Sequence, residues 1–234
     1  MRYIKKKATP PDCITEYISE CNSLGVPHPL LYKDFNRTKE LNEVLSSEQH
    51  YICCYCQRAV KGFRIEHLYP EKGPDEKKSL ELQLNYNNLF ASCIDSQGKP
   101  QNLQFCDVAK GNSVIREFIK EKKCSSFFRY TLNGEIIPNG FYNTWKEYES
   151  LLSEDKDIQD AINCIKTLNL NCTTLIEYRK ECIDVLIRFL SLKSLEEVQS
   201  VVNDWMSSDK YPSCFELRLQ YIREKYPQIV FETE

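Results

Sequence analysis

Long apolar runs are absent from this 234-residue chain, and glycine and histidine are scarce, with seven of the first and three of the second. No stretch nears the roughly 18 apolar residues that a membrane-spanning helix requires. The opening MRYIKKKATPPD lacks the apolar core of a secretion signal. Together these absences predict a cytoplasmic protein with no membrane association. A reducing compartment disfavours disulfides, so the twelve cysteines call for another explanation. Strong net charge is missing too. At −3, the balance does not advertise a nucleic-acid binder.

What is present is ordinary globular material, 41% hydrophobic and 28% charged, enough for one good core or a small domain plus a helical one. The charge is unevenly spread: residues 1–130 hold 20 Lys/Arg against 16 Asp/Glu, and residues 131–234 hold 11 against 18. Lys5, Lys6 and Lys7 form one basic cluster; Lys110, Arg116, Lys120, Lys122 and Lys123 form another. Either is a source of phosphate contacts or simply a solvated charged face.

Pro10-Pro11-Asp12 predicts a helix start with Asp12 as N-cap, and Ile14, Tyr17, Ile18 and Cys21 mark its apolar face. Gly25, Pro27 and Pro29 end it. A second helix is expected within 36–50. Residues 51–112 hold four of the seven glycines and read as loop-rich, a stretch that a metal clip would order where a core cannot. A helix is expected over 112–123, then a hairpin in FFRYTLNGEIIPNG with a type I′ turn at Asn133-Gly134. Beyond Gly140 no glycine occurs, and helical spacing runs through 143–152, 158–170, 173–192, 194–206 and 214–226. The expected fold is α+β and mainly α-helical: an N-terminal basic arm and helices (1–50), a central domain (51–124), and a β-hairpin with a helical docking region (125–234). Tyr142, Trp145, Tyr148 and Trp205 on the helical half serve either a partner or the core.

Cys53-x-x-Cys56 is a knuckle, with Cys54 as a spare thiol, and Cys93 and Cys106 supply a second pair. Four thiolates close a tetrahedral structural zinc site; a C-x-x-C also occurs in redox dithiols. Cys13, Cys21, Cys164 and Cys182 fall in helical patterns and read as core. Between the thiol pairs stand Glu66-His67 and Asn87-Asn88, with Asp107 directly after the last thiol. His67 is the histidine with a carboxylate beside it, and imidazole takes a proton from water near neutral pH. Asn88 offers a carbonyl to the imidazole Nδ1–H, or merely sits in a turn. Asp107 faces Glu66 across a hard divalent ion, or caps the helix that follows it. Asn112 is the alternative second ligand.

Glu66-His67 after the Cys53–Cys56 knuckle, the pair Asn88-Leu89, and Cys106-Asp107 with Lys110 three positions on resemble the HNH (ββα-metal) endonuclease motif. Asp107 stands where many members carry His or Asn. More narrowly, C-x-Y-C, I-E-H, N-N-L-F-x-S-C and C-D-x-x-K-G are similar to the HNH subunit, PtuB, of Septu-type and retron-associated anti-phage systems. The resemblance implies a ββα-metal finger with structural Zn²⁺, a catalytic Mg²⁺ or Mn²⁺ on Glu66 and Asp107, and catalysis by His67 aided by Asn88. It implies a nucleic-acid substrate, DNA or tRNA, and a PtuA-like ATPase partner of the ABC/SMC class. In retron-linked relatives a reverse transcriptase and its RNA–DNA product join them. A non-enzymatic zinc module and a redox protein using Cys53, Cys54 and Cys56 are the competing readings.

Overall fold

In the computed structural model, described for residues 1–59 and 62–231, helices surround two small antiparallel hairpins, an α+β fold. Helix α1 (Asp12–Ser23) buries Cys13, Ile14, Tyr17 and Cys21, the face its sequence spacing marks. Its N-cap is Pro11 rather than Asp12, and no side chain caps it. Asp12 lies inside the first turn, where its charge favours the helix dipole. Helix α2 (Thr38–Glu48) buries Leu41 and Leu45.

Strand β1 (Phe63–His67) pairs antiparallel with β2 (Leu89–Cys93), Glu66 opposite Phe90 and His67 opposite Leu89. Between them lies helix α3 (Glu76–Leu82), capped by Asp75 through the Lys78 amide. The short helix α4 (Asp107–Lys110) follows. Strand alternation sorts the side chains onto two faces. Leu89 and Ala91 pack with Phe63 and Ile65 against the α1–α2 cluster, whereas Phe90 joins the other core; Cys93, at the strand's end, departs from the alternation and meets Cys53, Cys56 and Cys106 there. The free edge of β2 is closed by Gln49, whose Oε1 accepts from the Ala91 amide at 2.7 Å and whose Nε2 donates to the Ala91 carbonyl at 2.7 Å.

Two local expectations fail for identifiable reasons. Residues 112–123 contain only a 3₁₀ turn at Phe118–Lys120. The Ile119 carbonyl, which a helix would keep for itself, accepts from the Ile4 amide at 2.8 Å. The hairpin of β3 (Phe128–Tyr130) and β4 (Ile136–Pro138) forms, but its loop is not type I′. Gly134 has φ +87° and Asn133 has no positive φ. The Gly134 amide bonds the Thr131 carbonyl and the Thr131 amide bonds that of Glu135, the pattern of a three-residue loop ending in glycine.

Helices α5 (Trp145–Glu149), α6 (Lys156–Thr167), α7 (Thr173–Leu190), α8 (Leu195–Ser207) and α9 (Phe215–Lys225) complete the chain. Cys164 and Cys182 are buried, and so is Tyr148; Tyr142 is 39% exposed. The largest apolar cluster runs from Met1 through the thiol pairs to Leu175, so one core crosses both expected domain boundaries. No helix among the described residues is long and apolar enough to cross a membrane.

Candidate metal centre and acid–histidine site

The knuckle, the end of β2 and the start of α4 bring Cys53, Cys56, Cys93 and Cys106 together. All four are buried, and their Sγ atoms lie within 4.8 Å of one another. Cys53 and Cys106 are 3.8 Å apart and Cys56 and Cys93 are 3.7 Å apart. A zinc ion with Zn–S bonds of about 2.3 Å in tetrahedral geometry separates its sulfurs by about 3.8 Å. The donor set therefore fits zinc in number, chemistry and spacing. Burial alone would raise the Cys53 thiol, yet hydrogen bonds from Cys106 and the other thiols hold it well below the ordinary range. Cys106 is pushed well above that range, first by burial and then by Cys53. Four buried thiols gathered on one point are an arrangement that a dication stabilises by replacing their protons. The Cys93 amide lies 3.4 Å from the Cys53 sulfur. Cys54 stays outside the set, as the spare. The wide Cys93–Cys106 interval is closed by Ser96, whose Oγ donates to the Phe105 carbonyl and accepts from its amide, both at 3.0 Å.

Glu66 and Asp107 meet on the face of β1 toward α4. Tyr55, between two of the ligand cysteines, donates to Glu66 Oε1 at 2.7 Å, and Lys110 Nζ lies 2.6 Å from the same oxygen. Lys110 is almost wholly buried and also donates to the His67 carbonyl at 2.8 Å. Burial raises the Glu66 carboxyl to about 7; Lys110 opposes and Asp107 reinforces that shift. Asp107 is raised as well, by burial first, with Arg64 and Lys110 pulling it down. Arg64 Nε sits 2.6 Å from Asp107 Oδ2, yet that oxygen has no hydrogen-bond donor; the contact is one of charge, without hydrogen-bond alignment. Asn112 is exposed beyond α4 and is not drawn into this group.

His67 points to the opposite face of β1. Its Nε2 is 2.9 Å from the Gln83 carbonyl at the end of α3. A carbonyl only accepts, so Nε2 carries the proton and Nδ1 the lone pair. Nδ1 lies 3.4 Å from Glu71 Oε1, and Tyr32 packs edge-on at 4.6 Å. Burial lowers the imidazole pKa, with Glu71 opposing, which keeps the ring neutral at pH 7.

Asn88 does not orient the imidazole as expected. Its Oδ1 accepts from the Tyr69 amide at 2.7 Å, and its Nδ2 donates to the carbonyls of Tyr69 at 2.9 Å and Leu82 at 3.2 Å. It pins the turn after His67 to the end of α3, one residue before Gln83. Sequence reasoning noted Tyr55 only within the C-x-Y-C run, without a role, and it missed Arg64, Glu71 and Gln83. Of these only Arg64 carried a readable signal, two positions from Glu66 on the same strand face.

Among the described residues, the four cysteines are the sole cluster of three or more side chains with metal-binding chemistry. Glu66 Oε1 is taken by Lys110 and Tyr55, and Asp107 Oδ2 is buried against Arg64. No family model matches the chain, and no curated protein matches it.

Proposed function

We propose that the chain is an HNH-type endonuclease that hydrolyses phosphodiester bonds as the effector of an anti-phage complex with a PtuA-like ATPase. The observation that supports this most is the convergence of Glu66, Asp107 and Lys110 on one face of β1, with His67 next in sequence on the other face, in a strand–strand–helix unit where four thiols gather. His67 Nδ1 takes the proton of the attacking water, and Glu71 stabilises the imidazolium that forms. The Gln83 carbonyl keeps the ring in that tautomer. Glu66 and Asp107 would hold the divalent ion, which supplies charge stabilisation at the phosphate and the departing 3′ oxygen. With Glu66 holding the ion, Lys110, anchored on the His67 carbonyl, would offer its charge to the scissile phosphate. Tyr55 couples the zinc knuckle to Glu66, so the structural metal sits one residue from the chemistry. The substrate is DNA, with tRNA as the alternative.

A second reading, a zinc-stabilised binding module without catalysis, is favoured by one observation. Glu66 is closed by Lys110 and Tyr55, and His67 is 5% exposed. The deciding experiment compares wild type with His67→Ala on plasmid DNA and total tRNA with Mn²⁺, with and without the ATPase subunit. Cleavage lost in the variant at unchanged zinc content supports the nuclease. No cleavage under any condition, with one zinc bound, supports the binding module.

A further inference from the structure

A cavity of about 790 Å³ lies behind the zinc knuckle, lined by the N-terminal arm, the end of α2 and α9. Cys53 and Cys54 form part of its wall, and none of Glu66, His67, Asn88 or Asp107 reaches it. Its volume suits a small phosphorylated ligand. Among the described residues, five cationic side chains line it, Arg2, Lys5, Lys7, Lys122 and Arg223, against two carboxylates, Glu48 and Glu216. Both carboxylates are engaged: Glu48 with Lys6 Nζ at 3.1 Å, and Glu216 with Arg2 and Arg223 at 3.8 Å each. Among the described residues, no carboxylate lies within ion-pair distance of Lys5, Lys7 or Lys122, and all three are exposed.

Gln57 provides an independent pointer. It lines the cavity at 1% exposure. Its Oε1 accepts from the Glu216 amide at 3.1 Å, which fixes the amide's orientation, and its Nε2 has no hydrogen-bond partner. The backbone is locked as well, with φ +59° and its carbonyl accepting from the Cys214 amide at 2.8 Å. Among the lining residues, a buried amide with an unpartnered N–H and three exposed lysines without carboxylate partners select an anion with several acceptor oxygens. The rings beside it are already engaged: Tyr211 is stacked between His50 at 3.8 Å and Phe215 at 3.9 Å, so charge and hydrogen bonding, not base stacking on Tyr211, carry recognition. We propose that this cavity binds phosphate groups, either of a free nucleotide or of the end of a nucleic-acid strand.

The test is equilibrium binding to the full-length, zinc-loaded chain carrying His67→Ala, so that no probe is cut. The probes are ATP, inorganic phosphate, and a short single strand with and without a 5′ phosphate, titrated over a range of salt. Preference for ATP identifies a nucleotide site; preference for the 5′-phosphorylated strand identifies a strand-end site. The triple variant Lys5→Gln, Lys7→Gln, Lys122→Gln, altered only on exposed side chains, is expected to weaken the preferred probe about tenfold or more. It should also reduce the salt slope of strand binding by roughly two, at about 0.7 per phosphate contact. Absence of binding by every probe, or equal binding by the triple variant, overturns the proposal. So does unchanged affinity in Gln57→Leu with zinc intact, because the phosphates would then lie outside the cavity. Binding without cleavage by the wild type would leave this inference standing and remove the nuclease reading.

Discussion

Glu66 carries its proton more tightly in the folded protein than in the unfolded chain, because burial outweighs the attraction of Lys110. A carboxyl raised in this way contributes its stability fully below its unfolded pKa of 4.5 and loses it as pH rises through about 7. Glu66→Gln, neutral at every pH, is therefore expected to flatten the decline in stability across that window by on the order of 3 kcal/mol. Urea melts of zinc-loaded protein at a series of pH values measure this; an undiminished decline would show that Glu66 is not the group responsible. His67 is shifted the other way by burial, and Glu71 partly restores it. Glu71→Gln should thus lower the imidazole pKa further, read as the ring-proton titration of one of only three histidines in an NMR experiment. An unmoved titration would separate Glu71 from the histidine. The motif residues themselves were legible from spacing and chemistry. Their partners were not, since Gln83 and Glu71 reach His67 only through the turn after β1 and the end of α3.

The hairpin elements show how local pattern and tertiary packing divide the work. In β3–β4 the sequence Asn133-Gly134 marks the turn correctly, but α7 selects its type. A Cβ on Gly134 would stand 2.2 Å from the Ile176 carbonyl oxygen, and the Gly134 carbonyl accepts from Arg179 Nε at 2.6 Å. Gly134→Ala is expected to destabilise the fold by roughly 3 kcal/mol, from the left-handed φ together with the clash. Thermal melts check this, and a loss below about 1 kcal/mol would mean that α7 yields easily. Around β1–β2, Asn88 makes three hydrogen bonds to backbone that no water replaces in a buried site. Asn88→Ala should cost about 2–4 kcal/mol and disorder the 68–71 turn. A variant of wild-type stability with impaired cleavage would instead give Asn88 a direct part in the chemistry. The expected helix at 112–123 failed because Ile115, Phe118 and Ile119 can be buried without a helix once Ile4 supplies a partner for the backbone. Periodicity records which side chains are apolar, not which backbone group will be claimed from 115 residues away.

At the scale of the whole molecule, the four-thiol cluster lies inside the apolar core that joins Met1 to Leu175, while α8 and α9 belong to separate clusters. Zinc removal by a strong chelator, or Cys56→Ser, should therefore unfold far more than the finger. Hydrogen exchange is expected to lose protection in every segment that lines this core, from the finger through the 115–128 stretch and β4 to α6, in line with the large share of folding energy such sites carry. Protection should persist in α8 and α9, and loss confined to 51–110 would show that the finger folds by itself. The sequence alone determined the four-thiol set and the helical half, because these depend on residue type and on short-range spacing. Tertiary structure decided the rest: that Glu66 and His67 face opposite ways, that Lys110 and Tyr55 share one carboxylate oxygen, and that Lys5, Lys7 and Lys122 line a cavity while Lys6 packs over the Tyr86 ring and pairs with Glu48. Each of these depends on contacts between segments far apart in the chain, and a one-dimensional pattern carries no record of which distant surfaces the core will press together.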